Sequence, residues 1–378
     1  MSKNAPTKMS KRTPTDRNER LKRAYLDHAR HAQRKSETTC DAIAAAIDDF
    51  LATNGHKPLA SIHIEWLKRF SRDLEDRTNE RSGEPLAAST ICGRLRAVKS
   101  FVTWLADQPG LRSRIRYADA DYLNPSNELA AIASAHRARP VPSMEQVAHV
   151  LATMPHGTPI ERRDRAVVAF TLLTAMRDGA IASLRLRHVD VKRGRVDQDA
   201  REVRTKASKT MTTRFFPVGE EPLRIVREWV RELAEDHRFG PSDPLFPVTA
   251  IDLDADGRFA ASGVKREGWT NADPIRRIFR AAFAAADLPY YSPHSFRSTI
   301  ARLGERTCRT PEEFKAWSQS LGHEQVMTTF QSYGTVPSER CDELFASIAA
   351  RDGTNDADEA TLSLMRQLTQ RLAASGAA

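Results

Sequence analysis

The stretch LGHEQVMTTFQSY, Leu321 to Tyr333, places a Gly-His pair ten residues before a tyrosine. Upstream lie a His-x-x-Arg at His294 and Arg297, two lysines (Lys206 and Lys209) in a hairpin-like loop, and Arg177 at the end of an apolar helix. Together these residue types suit attack of a tyrosine on a phosphodiester. Such an attack builds negative charge on the non-bridging oxygens, and preorganised cations aimed at those oxygens lower the barrier. Arginine is permanently charged and binds phosphate bidentately, so Arg177 and Arg297 could clamp one phosphate between them. His294 stands three residues before Arg297, on the same face of a helix, with Ser292 suited to its cap and Pro293 to its first position. His323 follows a glycine, as in a turn that exposes a donor at a helix start. A free tyrosine titrates at about 10 and needs a base or a positive field; two histidines and two arginines would give Tyr333 both. The leaving 5′ oxygen needs a proton, and a lysine on a hairpin loop can supply it. Lys206 is the first choice and Lys209 the alternative.

Each piece alone says little. Arg177 could be a surface helix terminus, a His-x-x-Arg is usually a solvated pair, a loop lysine usually faces solvent, and a single tyrosine is usually a core residue with a tethered hydroxyl. The force lies in the ordered set. Competing motifs fail. Asp252, Asp254, Asp256 and Gly257 imitate the start of a calcium loop, but its twelfth position is Gly263 where a bidentate glutamate is needed, so they read as an acidic turn. Neither His294 nor His323 sits in a metal-ligand pair, and no cysteine clusters with them. No phosphate-cradling GxxxxGK loop is present. The site thus calls for no cofactor and no metal.

The elements that must position these residues are mostly helical. The chain has 378 residues, 40% hydrophobic and only 7% aromatic, enough for two domains. No apolar run approaches a membrane span. The N-terminus lacks the apolar stretch of a signal peptide. Cys40, Cys92, Cys308 and Cys341 are scattered, which fits a reducing cytoplasm rather than a disulfide frame. The net charge of +9 is concentrated: residues 1–36 hold eleven basic and three acidic residues, while the remainder holds 47 basic and 46 acidic. Residues 1–36 show no sustained apolar period and read as a disordered basic tail able to bind nucleic acid.

Helical spacing begins near Glu37, with Ala42, Ile43, Ala46, Ile47 and Phe50, and continues over 62–74. A third helix, capped by Ser89, carries Ile91, Leu95, Val98, Val102 and Leu105 on one seam, and Arg94, Arg96 and Lys99 away from it. Asn124-Pro125 and residues 138–143 bracket an interdomain connection that holds a short helix near 127–136. The second domain then opens at Ser143. It contains an apolar helix over Arg165–Met176, three strand-like pieces (HVDV, EVRT and MTTRFFPV, the last two joined by KASK), and helices over Leu223–Leu233, Pro274–Ala286, Ser295–Gly304 and Glu312–Ser320. After a linker, Leu362, Met365, Leu368 and Leu372 form a last amphipathic helix. The expected class is mainly α with a small antiparallel β-sheet.

This set resembles the tyrosine recombinases, the phage-integrase family. TLLTAMRDGAIASLRLRHVD is similar to the family's first arginine box, VRTKASKTMTTRFFPV to its strand–lysine–strand segment, PHSFRSTIARL to its His-x-x-Arg box, and LGHEQVMTTFQSY to its Gly-His to tyrosine box. AASTICGRLRAVKSFVTWL is similar to the last large helix of the family's core-binding domain. The resemblance implies a helical core-binding (SAM-like) DNA-binding domain at 37–138 and a catalytic domain at 143–350, between the basic tail at 1–36 and the linker and C-terminal helix at 351–378; in the family such a helix often docks on a neighbouring protomer. It implies a C-shaped clamp on double-stranded DNA carrying specific recombination sites, with four like or companion protomers and in some systems accessory proteins. Tyr333 is then the nucleophile; Arg177, Arg297 and His323 stabilise the transition state; His294 is a general acid/base and Lys206 the general acid. The product is a 3′-phosphotyrosine, made without ATP or metal. One departure stands out: many members carry an acidic residue three positions after the first arginine, and here that position is Ala180. The expected activity is site-specific DNA recombination in the cytoplasm, at the nucleoid. Two other readings use the same residues: a DNA-binding regulator that has lost catalysis, and a type IB topoisomerase-like relaxing enzyme.

Overall fold

The computed structural model describes residues 14–80, 82–135, 140–253 and 256–322, together with 342, 343 and 365. Two compact units divide the chain, Met1–His136 and Arg137–Ala378. The described residues are mainly helical with two small antiparallel sheets. Among them, no helix is long and apolar enough to cross a membrane.

The first unit is built from α1 (Pro14–His31), α2 (Glu37–Thr53), α3 (Ile64–Asp76), α4 (Ala88–Leu105) and α5 (Asn127–Ser134). The seam of α4 is buried as its spacing requires: Ile91, Leu95, Val98, Val102 and Leu105 all lie in the core. Ser89 does not cap it. The helix starts two residues earlier than that cap needs, at Ala88 after Ala87, and Ala87 has no side chain to accept a backbone N–H. Of the three basic residues off the seam, Arg94 pairs with Asp49, and Lys99 bonds Asp121 at 2.8 Å and Asn124 at 2.7 Å. These two are engaged within the unit.

The N-terminal segment departs from its expected disorder. Residues 14–31 form α1, whose Tyr25 and Ala29 are fully buried. The Tyr25 ring lies 5.2 Å from that of Phe101 and 5.5 Å from that of Trp104, centroid to centroid. Asn18 donates to the Lys57 carbonyl and accepts from the Leu59 amide, both at 2.9 Å. The docking stripe Asn18–Leu21–Tyr25–Ala29 has about one member per turn, too sparse among charges to register as a period.

The second unit is built around α7 (Pro159–Thr174), buried continuously from Ala166 to Thr174. Before it comes α6 (Met144–Thr153), opened by a capping box in which Ser143 and Gln146 bond reciprocally. After it come α8 (Asp178–Ile181) and the strands β1 (Val189–Asp190), β2 (Arg195–Gln198) and β3 (Met211–Arg214), in the antiparallel order β1-β2-β3. The segment EVRT is not a strand. The middle strand is β2, RVDQ, with Val196 and Gln198 turned inward, entered through Gly194 in the left-handed region at φ 61°. Beyond α9 (Glu220–Glu235) stands a hairpin absent from the expectation, β4 (Pro247–Leu253) paired with β5 (Phe259–Gly268). The acidic-turn residue Asp252 belongs to β4 and accepts from the Ser262 hydroxyl. β5 is mostly exposed, and β4 is buried or half-buried from Pro247 to Ala250 and exposed beyond, so no alternation of polar and apolar residues marks them. The helices α10 (Asp273–Ala285), α11 (Ser295–Thr307) and α12 (Pro311–Ser320) complete the unit.

If α1 is part of the core, Tyr25→Ala should lower the stability of the first unit by about 3 kcal/mol, the usual cost of truncating a buried aromatic. Chemical denaturation of residues 1–136 would read this, and an unchanged midpoint would show that α1 does not dock.

Candidate active site

The site lies in the second unit, where three chain segments meet. The first is the end of α7. Ala175 ends that helix in the left-handed conformation, φ 48° and ψ 27°, which turns the chain so that Met176 and Arg177 enter the next element from its side. Arg177 is the N-cap residue of α8 and half-buried. Among the described residues, no hydrogen bond or ion pair engages its guanidinium.

The second segment is the loop between β2 and β3, which carries Lys206 and Lys209. Its root is tied down on all sides. The Asp199 carboxylate is held down to about 2, chiefly by hydrogen bonds from the Arg201 side chain and backbone. Glu202 lies below the ordinary carboxylate range because His188 and then Arg187 bond to it. Val203 is buried, the Arg204 amide donates to Ser183, and the Arg204 guanidinium reaches the carbonyls of Trp269 and Thr270. Lys206 starts a single 3-10 turn, Lys206–Ser208, at the loop's tip, with its side chain exposed.

The third segment is α11 with the end of α12. Arg297 is 3% exposed, and its guanidinium forks between two backbone carbonyls: Nη1 donates to Ala175 and Nη2 to Leu321, each at 2.5 Å. It thereby joins the end of α7 to the end of α12. Ser292 and Pro293 do not occupy the expected cap and first position. The N-cap is His294, already in helical conformation, and the helix runs from Ser295. Ser292 instead accepts from the Ser295 hydroxyl through its carbonyl.

A buried polar chain locks α12 to the sheet. Gln198 Nε2 donates to Thr213 Oγ1 at 2.8 Å, and Thr213 Oγ1 donates to the Ser320 carbonyl at 3.1 Å. Gln198 and Thr213 are neighbours on the inward face because Val196 pairs with Thr213 and Gln198 with Met211. Two residues on, Gly322 adopts φ 78°, and a Cβ there would lie 2.7 Å from both Sδ and Cε of Met211. Glycine is required at this point both for its backbone and for its lack of bulk.

One cleft results. Arg177, Lys206, Lys209 and Arg297 line it, with Gln198, Thr205, Thr213 and Gly322 between them and Met176, Ala180 and Met211 as its apolar wall. Four of the residues singled out by chemistry thus converge from positions far apart in sequence. His294 is exposed at the start of α11, and the described lining residues do not include it. His323 and Tyr333 fall outside the described residues, as do Cys341 and, Met365 apart, the expected C-terminal helix. Gln198, Thr205 and Thr213 were not singled out, since their place depends on strand register. Three positions after Arg177, Ala180 is buried against the cleft. The nearest carboxylate, Asp178, turns elsewhere: it accepts from the Gly179 amide and, at 2.8 Å, from Arg276 Nε on α10.

Gly322→Ala should cost about 1–2 kcal/mol from the left-handed backbone alone, and should also push Met211 out of the cleft wall. Denaturant melts read the first effect. If Gly322 matters for the cleft, DNA cleavage falls more than DNA binding; equal losses would argue against it.

The segment 143–340, just over half of the chain, matches the family model described as the phage integrase family. The chain is 24% identical over 311 residues to tyrosine recombinase XerC of Lactobacillus delbrueckii subsp. bulgaricus, covering 81% of this chain and 90% of that protein. It is 26% identical over 312 residues to tyrosine recombinase XerC 1 of Ralstonia nicotianae, covering 81% and 86%. Among solved structures, the Tn1549 transposon integrase in complex with transposon right end DNA aligns at TM-score 0.54 and 15% identity, over 87% of this chain and 99% of that one. A lambda integrase dimer bound to a COC′ core site aligns at 0.51 and 14%, over 84% and 95%. With over half of its length matched to the family model, this chain belongs to the phage integrase family, the tyrosine recombinases.

Proposed function

We propose that the chain is a site-specific DNA recombinase that cuts and rejoins double-stranded DNA through a 3′-phosphotyrosine intermediate. The observation that carries this reading is the convergence of Arg177, Lys206 and Arg297 on one cleft closed by Gly322, the residue before His323. The cleft has the chemistry of a phosphodiester site: one guanidinium anchored at Arg297 and a second at Arg177, a loop ammonium and an apolar wall that keeps the local dielectric low.

In this mechanism the scissile phosphate sits between the guanidinium groups of Arg177 and Arg297. His323, one residue past the anchored Leu321–Gly322 turn, adds a donor. Tyr333 Oη attacks phosphorus, the P–O5′ bond breaks, and Lys206 protonates the departing oxygen. His294, at the mouth of α11, takes up and returns the tyrosine proton. The new phosphodiester to Tyr333 conserves the bond, so a 5′ hydroxyl from a second strand can displace the tyrosine without an external energy source. Exchange between two duplexes needs two pairs of such sites, which four protomers, identical or with companion recombinases, would supply on specific recombination sites. The place of action is the nucleoid in the cytoplasm.

A nicked suicide duplex carrying the site that this protein selects from a randomised library should trap a covalent adduct, abolished by Tyr333→Phe. Binding without any adduct would favour a regulator that has lost catalysis. Lys206→Ala should slow adduct formation by about 100- to 10,000-fold. A 5′-bridging sulfur, a leaving group that needs no proton, should restore the rate. If Lys209→Ala shows this rescue and Lys206→Ala does not, Lys209 is the general acid.

A further inference from the structure

Thr205 immediately precedes Lys206 and stands at the N-cap position of its short turn, yet its side chain makes no capping hydrogen bond. Its Oγ1 is buried without any partner, the only such side-chain atom among the described residues of the second unit. Buried hydroxyls without partners are unfavourable, and a valine would fill almost the same volume without that penalty. The neighbouring polar side chains show the ordinary solution: Gln198 and Thr213 satisfy each other and the Ser320 carbonyl. Among the described residues of the second unit, Thr205 is the one whose buried side-chain donor stays unused, and it lies on the wall of the cleft shared with Arg177, Lys206 and Arg297.

The cations decide what could satisfy it. A group drawn between two guanidinium ions and an ammonium is an anion, and at a hydroxyl donor it presents an oxygen acceptor. We propose that Thr205 is a further phosphate-binding residue of this site, its hydroxyl donating to a non-bridging oxygen of the scissile phosphodiester. The assignment rests on the cleft being the cleavage site. It also accounts for the loop's construction, since one rigidly rooted segment then delivers both a phosphate donor and the proton donor for the leaving oxygen.

The test uses the full chain and the same nicked duplex, with adduct formation followed under single-turnover conditions. Thr205→Val should keep the thermal midpoint at or above the wild-type value and keep DNA affinity within about twofold, while cleavage slows about 10- to 100-fold, the scale of losing one such donor. Thr205→Ser should recover most of the rate. A methylphosphonate in place of the scissile phosphate removes one non-bridging oxygen, and for one of its two stereoisomers the Thr205→Val penalty should vanish. Wild-type cleavage by Thr205→Val beside an inactive Arg177→Ala would overturn the role of Thr205 and leave the site intact. Wild-type cleavage by Arg177→Ala as well would overturn the site itself. A lowered midpoint in Thr205→Val, with no stereoisomer effect, would make Thr205 structural and refute the proposal.

Discussion

A buried guanidinium holds the second unit's cleft together. Arg297 is almost wholly removed from water, and two of its donors are spent on the backbone carbonyls of Ala175 and Leu321. Burying a charge is unfavourable unless it is hydrogen-bonded, so the ends of α7 and α12 must stay where those carbonyls can be reached. Ala175 meets that demand by taking a left-handed turn, which in turn aims Arg177. Leu321 meets it by ending α12 beside β3, which presents Gly322 to Met211. One side chain therefore sets the relative position of the first arginine and of the residue before His323.

The lysine loop is held by different means. Its tip carries the exposed Lys206, and its root is pinned by Glu202, Val203 and Arg204. In the proposed mechanism a firm root with an exposed tip suits a lysine that must reach a leaving oxygen while Arg177 and Arg297 hold the phosphate. The apolar wall at Ala180 fits the same picture. Asp178 is committed to the Gly179 amide and to Arg276, so the start of α8 is braced toward α10 instead of toward the cleft.

Much of this was legible from sequence. α4, with a strong apolar period, buries the seam that period predicts; α7, a continuous apolar run expected over Arg165–Met176, spans Pro159–Thr174; and Arg177, Lys206 and Arg297 line one cleft. What escaped has physical reasons. α1 docks through one side chain per turn amid a highly charged surface. β2 is four residues long, and its inward face includes a glutamine whose burial makes sense only once Thr213 is opposite. The hairpin β4–β5 packs only Val248 and Val264 against the core and is otherwise mostly half-buried or exposed, so it carries no alternating pattern. Gln198 and Thr205 are ordinary loop-flanking residues until register and burial give them a role, and no spacing rule reaches either.

The proposed mechanism stands or falls with Tyr333 as the nucleophile. Mass spectrometry of the protease-digested covalent adduct tests it most directly. The account predicts one modified peptide, carrying nucleotide on Tyr333 through a 3′ phosphate, with a free 5′ hydroxyl on the released strand. Attachment at any other residue, or through a 5′ phosphate, would contradict it.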